Sequence, residues 1–201
     1  FKNRIMNDVV PVEELKTLYV NDIAGYSKTL NECYLTSTTD LTVDDYEHLI
    51  LHKKKINSIL SNSNIPKAFI SKYWAPKNDN DIKEGERVYY THENACRIDK
   101  MMFYIKNNVE KKYQSLLLGP LLVKCSIHNN TSGQFSAYYK NSDKTKGKFG
   151  GKTETDLHRI TKEITPELPI LTQHKANINI SQMDTNDWVK TIPEVDLMYY
   201  D

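Results

Sequence analysis

Three small groups of residues in this sequence have the types and spacing for chemistry. His92 and Cys96 lie one helical turn apart at the start of a helical pattern. An imidazole there could meet a thiol, and a helix N-terminus favours the thiolate. His48 and His52 stand four apart beside Glu47, a spacing that can grip zinc. Gly151-Lys152-Thr153 has the ending of a phosphate-binding loop, which uses backbone N–H groups, a lysine and a hydroxyl on Mg²⁺.

Each group also has a plainer reading. Cys96 is next to Ala95 and Ile98, where a cysteine acts as a small apolar residue. No third or fourth zinc ligand is evident near His48 and His52, which suit a hydrated helix face. The phosphate loop needs a glycine where Lys146 stands, and Gly147 is one residue too close. No paired carboxylates and no glycine-rich oxyanion loop complete an active site. We expect a binding domain rather than an enzyme, with no catalytic residue, no metal and no cofactor.

Charge points to what would be bound. The chain has 27 Lys plus Arg against 26 Asp plus Glu, a net charge of +1, so it is not uniformly basic. The charge is uneven: residues 140–162 are basic and residues 181–201 acidic. Arginines are few (Arg4, Arg87, Arg97 and Arg159), which disfavours bidentate reading of guanine. The candidate binding residues are Arg97, Lys100, Lys124, His128, Tyr138, Lys140, Lys144, Lys146, Lys148 and Lys152. The partner expected is nucleic acid or another polyanion, bound through the Lys-rich loop and an adjoining sheet face. The alternatives are a protein-interaction or scaffold domain, and an enzyme built on the Cys96–His92 pair. The scaffold reading uses Phe69, Tyr73 and Trp74 or the tail Leu197, Met198, Tyr199 and Tyr200, with the acidic tail docking on a basic partner.

These residues need elements to position them. Thr91 reads as an N-cap, and Ala95, Ile98, Met102, Ile105, Val109 and Leu116 follow at helical spacing. One helix over 92–118 would be about 40 Å long. Its outer face would carry Glu93, Arg97, Lys100, Tyr104, Asn107 and Lys111, and Gly119-Pro120 would stop it. After Pro120 the period becomes two, predicting a hairpin. Leu121, Val123, Cys125 and Ile127 face in; a turn follows at 129–133; Phe135, Ala137 and Tyr139 return. That pairing puts Lys124, His128, Tyr138 and Lys140 on one exposed patch.

Upstream, residues 11–35 read as a helix with Pro11 first, Glu13 and Glu14 in its first turn and Gly25 as a weak point. Thr42 caps a second helix to about Leu60, with Tyr46, Leu49, Ile50, Ile56 and Leu60 inward. Pro66 opens a short helix through Trp74, and 87–90 is a candidate strand. Downstream come a helix over 156–164, an anchoring segment at Leu168, Ile170 and Leu171, and a strand over 177–182. Trp188, Val189 and Ile192 then pack back on the core.

The expected fold is therefore α+β. N-terminal helices and one long central helix would pack on a small, mostly antiparallel sheet. We expect one domain over 1–201, with 1–80 helical and 81–201 holding the long helix, hairpin, basic loop and tail. Phe1 at the start leads us to expect a piece excised from a longer chain. Three separated cysteines, Cys33, Cys96 and Cys125, suit a reducing compartment, so we expect an intracellular protein of cytoplasm or nucleus. No stretch is long and apolar enough to cross a membrane. Asn-X-Ser/Thr triplets begin at Asn129, Asn130 and Asn179.

Overall fold

The structure is a computed structural model that describes residues 15–62, 67–133 and 137–199. The chain divides into two compact units, Phe1–Val43 with Ile170–Asp201, and Asp44–Pro169.

In the first unit, β1 (Thr17–Asn21) pairs in parallel with β2 (Asn177–Ser181), Thr17 opposite Asn177 and Asn21 opposite Ser181. Asn21 also exchanges two hydrogen bonds with the backbone of Met183, at 3.0 and 2.9 Å. α1 (Gly25–Tyr34) follows and buries Cys33. A short 3₁₀ turn at Thr38–Asp40 is closed by a capping box between Ser37 and Asp40. Ser37 also bridges to Thr172.

The expected helix over 11–35 is thus a strand and then a shorter helix. Thr17, Leu18, Tyr19 and Val20 have β-branched and aromatic side chains that suit a pleated surface. Gly25 begins the helix instead of interrupting it. Pro11, Glu13 and Glu14 lie outside the described residues. The strand at 177–181 forms as expected. Ile170 is 94% exposed and anchors nothing.

The second unit is helical. α2 (Val43–Leu60) matches the expected bounds and buries Leu49, Ile56 and Leu60, while Ile50 is 44% exposed. α3 (Ile70–Tyr73) is a single turn that packs on α4 (His92–Asn108), and α4 packs on α5 (Lys111–Ile127). α6 (Leu157–Thr161) is short, and Ile160 and Ile164 are fully buried. In the first unit, α7 (Thr185–Trp188) ends the regular structure. Among the described residues, no helix is long and apolar enough to cross a membrane.

Three expectations fail here, and together they overturn the expected fold. The helix over 92–118 breaks at Val109, which is extended and buried. Just before it, the side chains of Asn107 and Asn108 turn back onto the carbonyls of Phe103 (2.7 Å) and Tyr104 (3.2 Å), competing with the helix ladder. Gly119-Pro120 stops nothing: both residues are buried inside α5. Proline costs the helix one backbone hydrogen bond, and burial of Leu116, Leu117 and Leu121 around it outweighs that. Residues 121–127 are consequently helix, and no hairpin forms. Among the described residues, antiparallel pairing survives only as single bridges, Thr131 to Tyr138 and Lys140 to Gly147. Phe135 and Ser136 lie outside the described residues. Residues 87–90 make no strand either; Val88 is buried in an irregular segment. Among the described residues helices dominate, and the one sheet is parallel and has two strands.

Two adjacent residues of α4 fix the turns around it. Asp99 accepts the backbone N–H groups of Phe69 (3.1 Å), Ile70 (2.8 Å) and Ser71 (2.9 Å), and the Ser71 hydroxyl at 2.6 Å. It is a cap for α3 supplied by another helix. Lys100 points its ammonium at the carbonyls of Leu60 (3.2 Å) and Asn62, at the C-terminal end of α2. A carboxylate at one helix start and an ammonium at another helix end both follow the helix dipole.

Candidate functional site

The catalytic pair does not assemble. The His92 ring faces the carbonyl of Pro76 at 2.9 Å, and its backbone N–H is held by Asp79 at 2.8 Å. Burial pushes the Cys96 thiol up, and the neighbouring Asp99 charge pushes it further, so the thiolate a nucleophile needs is disfavoured. His48 approaches Asp44 (3.5 Å) and stacks on Tyr113, while His52 turns inward to the Tyr104 hydroxyl at 3.0 Å. The two do not converge. Among the described residues no group of three or more His, Cys, Asp or Glu could hold a metal ion.

The glycines of the basic loop are used in packing. Gly150 and Gly151 have φ of 71° and 65°, and a Cβ on Gly151 would lie 2.9 Å from the Tyr139 ring. Gly150 donates its N–H to Asn130. A Cβ on Gly147 would stand 2.2 Å from a Val88 methyl, so this loop sits hard against the segment at 87–89.

Half of the candidate binding residues have internal duties. Arg97 bonds the Ile164 carbonyl (2.9 Å) and Glu163 (2.8 Å) and approaches Glu93. Lys100 is buried at the end of α2, although the helical spacing placed it on the outer face. Lys124 pairs with Glu167 at 2.7 Å, and Lys148 with Glu154 at 2.7 Å. His128 is 3% exposed, with Nδ1 2.6 Å from the Arg159 carbonyl and Nε2 buried without a partner among the described residues. The expected exposed patch of Lys124, His128, Tyr138 and Lys140 therefore does not exist.

The other half is Tyr138 and four lysines. Lys140, Lys144, Lys146 and Lys152 are exposed. Residues 140–147 form a tight loop: Asn141 donates to the Lys146 carbonyl (3.0 Å), and Asp143 accepts the Thr145 hydroxyl at 2.6 Å. Those Thr145 bonds hold the Asp143 carboxyl below its usual range. Lys144 takes a φ of 61° at the loop tip. Lys140 reaches back over the Tyr138 ring, 5.8 Å from its centre.

From Tyr138 the contacts run on. Tyr138 meets Tyr89 edge to face at 5.1 Å, and Tyr89 meets Trp74 at 5.0 Å. Arg87 lies over Trp74 at 5.2 Å and Lys72 over Tyr73 at 4.9 Å, and Phe69 meets Tyr73 at 5.5 Å. Phe69 and Tyr73 are about half exposed. Between α3 and residues 85–87 lies a cleft of about 650 Å³, lined by Phe69, Lys72, Tyr73, Trp74, Lys77 and Arg87 among others.

Asn130 ties the loop to the cleft. It is fully buried and donates to the carbonyls of Val88 (2.8 Å) and Lys148 (3.2 Å). Its amide is fully engaged, so the triplet at Asn130 offers no acceptor for a glycan. Sequence reasoning put the cleft aromatics and the lysines on separate surfaces and missed Arg87, Tyr89 and Lys72. The tyrosine-rich run at 88–90 was the available signal.

No protein-family model matches the chain, and no curated protein or solved structure is significantly similar to it.

Proposed function

We propose that this chain is a non-catalytic binding domain that takes an anionic polymer on its Asp44–Pro169 unit. The contact surface is the lysine loop, Lys140, Lys144, Lys146 and Lys152, with the aromatic row beside it. The observation that carries this reading is the unbroken run from Lys140 through Tyr138 and Tyr89 to Trp74 and Arg87. Cations interleaved with aromatic rings suit a phosphate-bearing chain. Arg97, Lys100, Lys124 and Lys148 leave the contact list because their charge is already engaged within the fold, and His128 leaves it because it is buried.

The test is replacement of Lys140, Lys144, Lys146 and Lys152 together by Glu, followed by binding to heparin or polyphosphate at several salt concentrations. Wild-type affinity should fall with added salt, and the variant should bind neither polymer. Equal binding by the variant, or a flat salt response in the wild type, rejects the proposal.

A protein partner is a second reading, favoured by the exposed tail side chains Leu197 (61%), Met198 (42%) and Tyr199 (69%). Loss of a stoichiometric partner when the tail is deleted would support it. The three cysteines are free, which supports an intracellular setting.

A further inference from the structure

We infer that the cleft between α3 and residues 85–87 takes the unpaired bases of a single-stranded nucleic acid, with the lysine loop following its phosphates. This rests on the polyanion reading above and names the polymer. The rings decide it. Phe69 is 54% exposed and Tyr73 47%, so both offer surface on which a flat base can stack. Trp74 is half-buried and lines the same cleft. A duplex keeps its bases stacked inside itself and offers nothing to these rings.

The charges point the same way. Lys72, Lys77 and Arg87 line the cleft, and among the described residues its one lining carboxylate is Glu86. Both Glu86 oxygens accept backbone N–H groups, from Lys77 at 3.1 Å and Lys83 at 2.8 Å, and so hold the turn that shapes the rim. The surplus is positive. An acidic peptide would use the cations and leave Phe69 and Tyr73 idle. A proline-rich peptide would use the rings and leave three cations unpaired.

The platform is also preorganised. Asp99 holds the first turn of α3 by four hydrogen bonds, and the Trp74 carbonyl accepts the N–H of Tyr89 at 2.9 Å. Rings fixed in advance lose little freedom on binding. The loop reaches the same place, because Gly147 packs on Val88 between Arg87 and Tyr89.

The test uses the full chain with Trp188→Phe, which leaves Trp74 as its single tryptophan. The probes are oligo(dT), oligo(dT) annealed to oligo(dA), and polyphosphate. Oligo(dT) should quench Trp74 fluorescence, whereas the duplex and polyphosphate should not. Phe69→Ala with Tyr73→Ala should weaken oligo(dT) binding by about tenfold or more. It should leave polyphosphate binding unchanged, which also shows that the variant is folded. Tyr73→Phe should retain oligo(dT) affinity. Oligo(dT) binding with no quench and no loss in the double variant overturns the stacking while leaving polyanion binding intact. Binding of none of the probes overturns both. Quenching by a proline-rich or acidic peptide and not by oligo(dT) gives the cleft to a protein partner and overturns the inference.

Discussion

The Asn130 side-chain amide donates to the Val88 carbonyl at 2.8 Å, and this bond joins the end of α5 to the segment beneath the cleft. Around it, the Asn130 backbone N–H reaches the Tyr89 carbonyl at 2.8 Å, and its own carbonyl accepts Tyr139 N–H at 3.0 Å. The side chain adds Lys148 and Gly150. One fully buried residue thus sets the separation between the aromatic row and the basic loop.

Asn130→Ala would strand the Val88 and Lys148 carbonyls and the Gly150 N–H away from water. Unsatisfied buried polar groups cost about 1–3 kcal/mol each, with partial relaxation, so a loss of about 3 kcal/mol is expected. Chemical denaturation measures it. A midpoint equal to wild type would refute the role given to this residue.

Asp99→Asn keeps the shape and replaces one acceptor oxygen by a donor facing N–H groups. A loss of about 2 kcal/mol is expected. Amide exchange at Phe69, Ile70 and Ser71 should quicken, since these are the N–H groups that Asp99 holds. Protection equal to wild type at all three would show that α3 does not depend on this cap.

His52 gives a dependence on pH. Burial foremost, then the charges of Lys55 and His48, lower its pKa below the ordinary 6.5. The folded state therefore favours the neutral ring, and the unfolded chain takes up the proton first. The stability this contributes is fully present above about pH 6.5 and is lost as pH falls through the lower folded value. Denaturation midpoints of wild type and His52→Gln between pH 7.5 and 5 test it. The variant should lose less on acidification; parallel curves would exclude His52 as the source.

The cysteines should be slow to alkylate in the folded protein. Burial pushes Cys33 from 9.0 up to about 12, so about a thousandfold less thiolate is present at neutral pH. Cys125 is pushed to about 12 by burial as well, and Cys96 is also raised. Iodoacetamide at pH 7 should label all three rapidly only after denaturation. Fast native labelling of Cys96 would reopen the nucleophile reading.

Gly147→Ala tests the seat of the loop. A Cβ there meets Val88 Cγ2 at 2.2 Å and Val88 Cβ at 2.7 Å, a clash that displaces the loop or the segment beneath it. Polyphosphate affinity should fall although no charge has changed. Unaltered affinity would mean that the loop binds independently of its position.

Local signals were enough for several elements. The acidic first turn and apolar spacing marked α2, and Thr91 caps α4 as its type suggests, accepting Asn94 N–H at 3.2 Å. Alternation marked β2, and the lysines at 140, 144, 146 and 152 are as exposed as their composition implied. Such signals act within a few residues, so one sequence carries them. Tertiary structure decided the rest. Proline usually ends a helix, but burial of Leu116, Leu117 and Leu121 around Pro120 keeps α5 going, and burial is set by what packs against the helix. β1 is a strand because its partner lies far along the sequence. Lys100 and His128 read as surface groups until the carbonyls they face are known. Trp74, Tyr89 and Tyr138 become one row only where the chain folds back on itself, because ring contacts depend on distance in space and carry no mark of it in sequence.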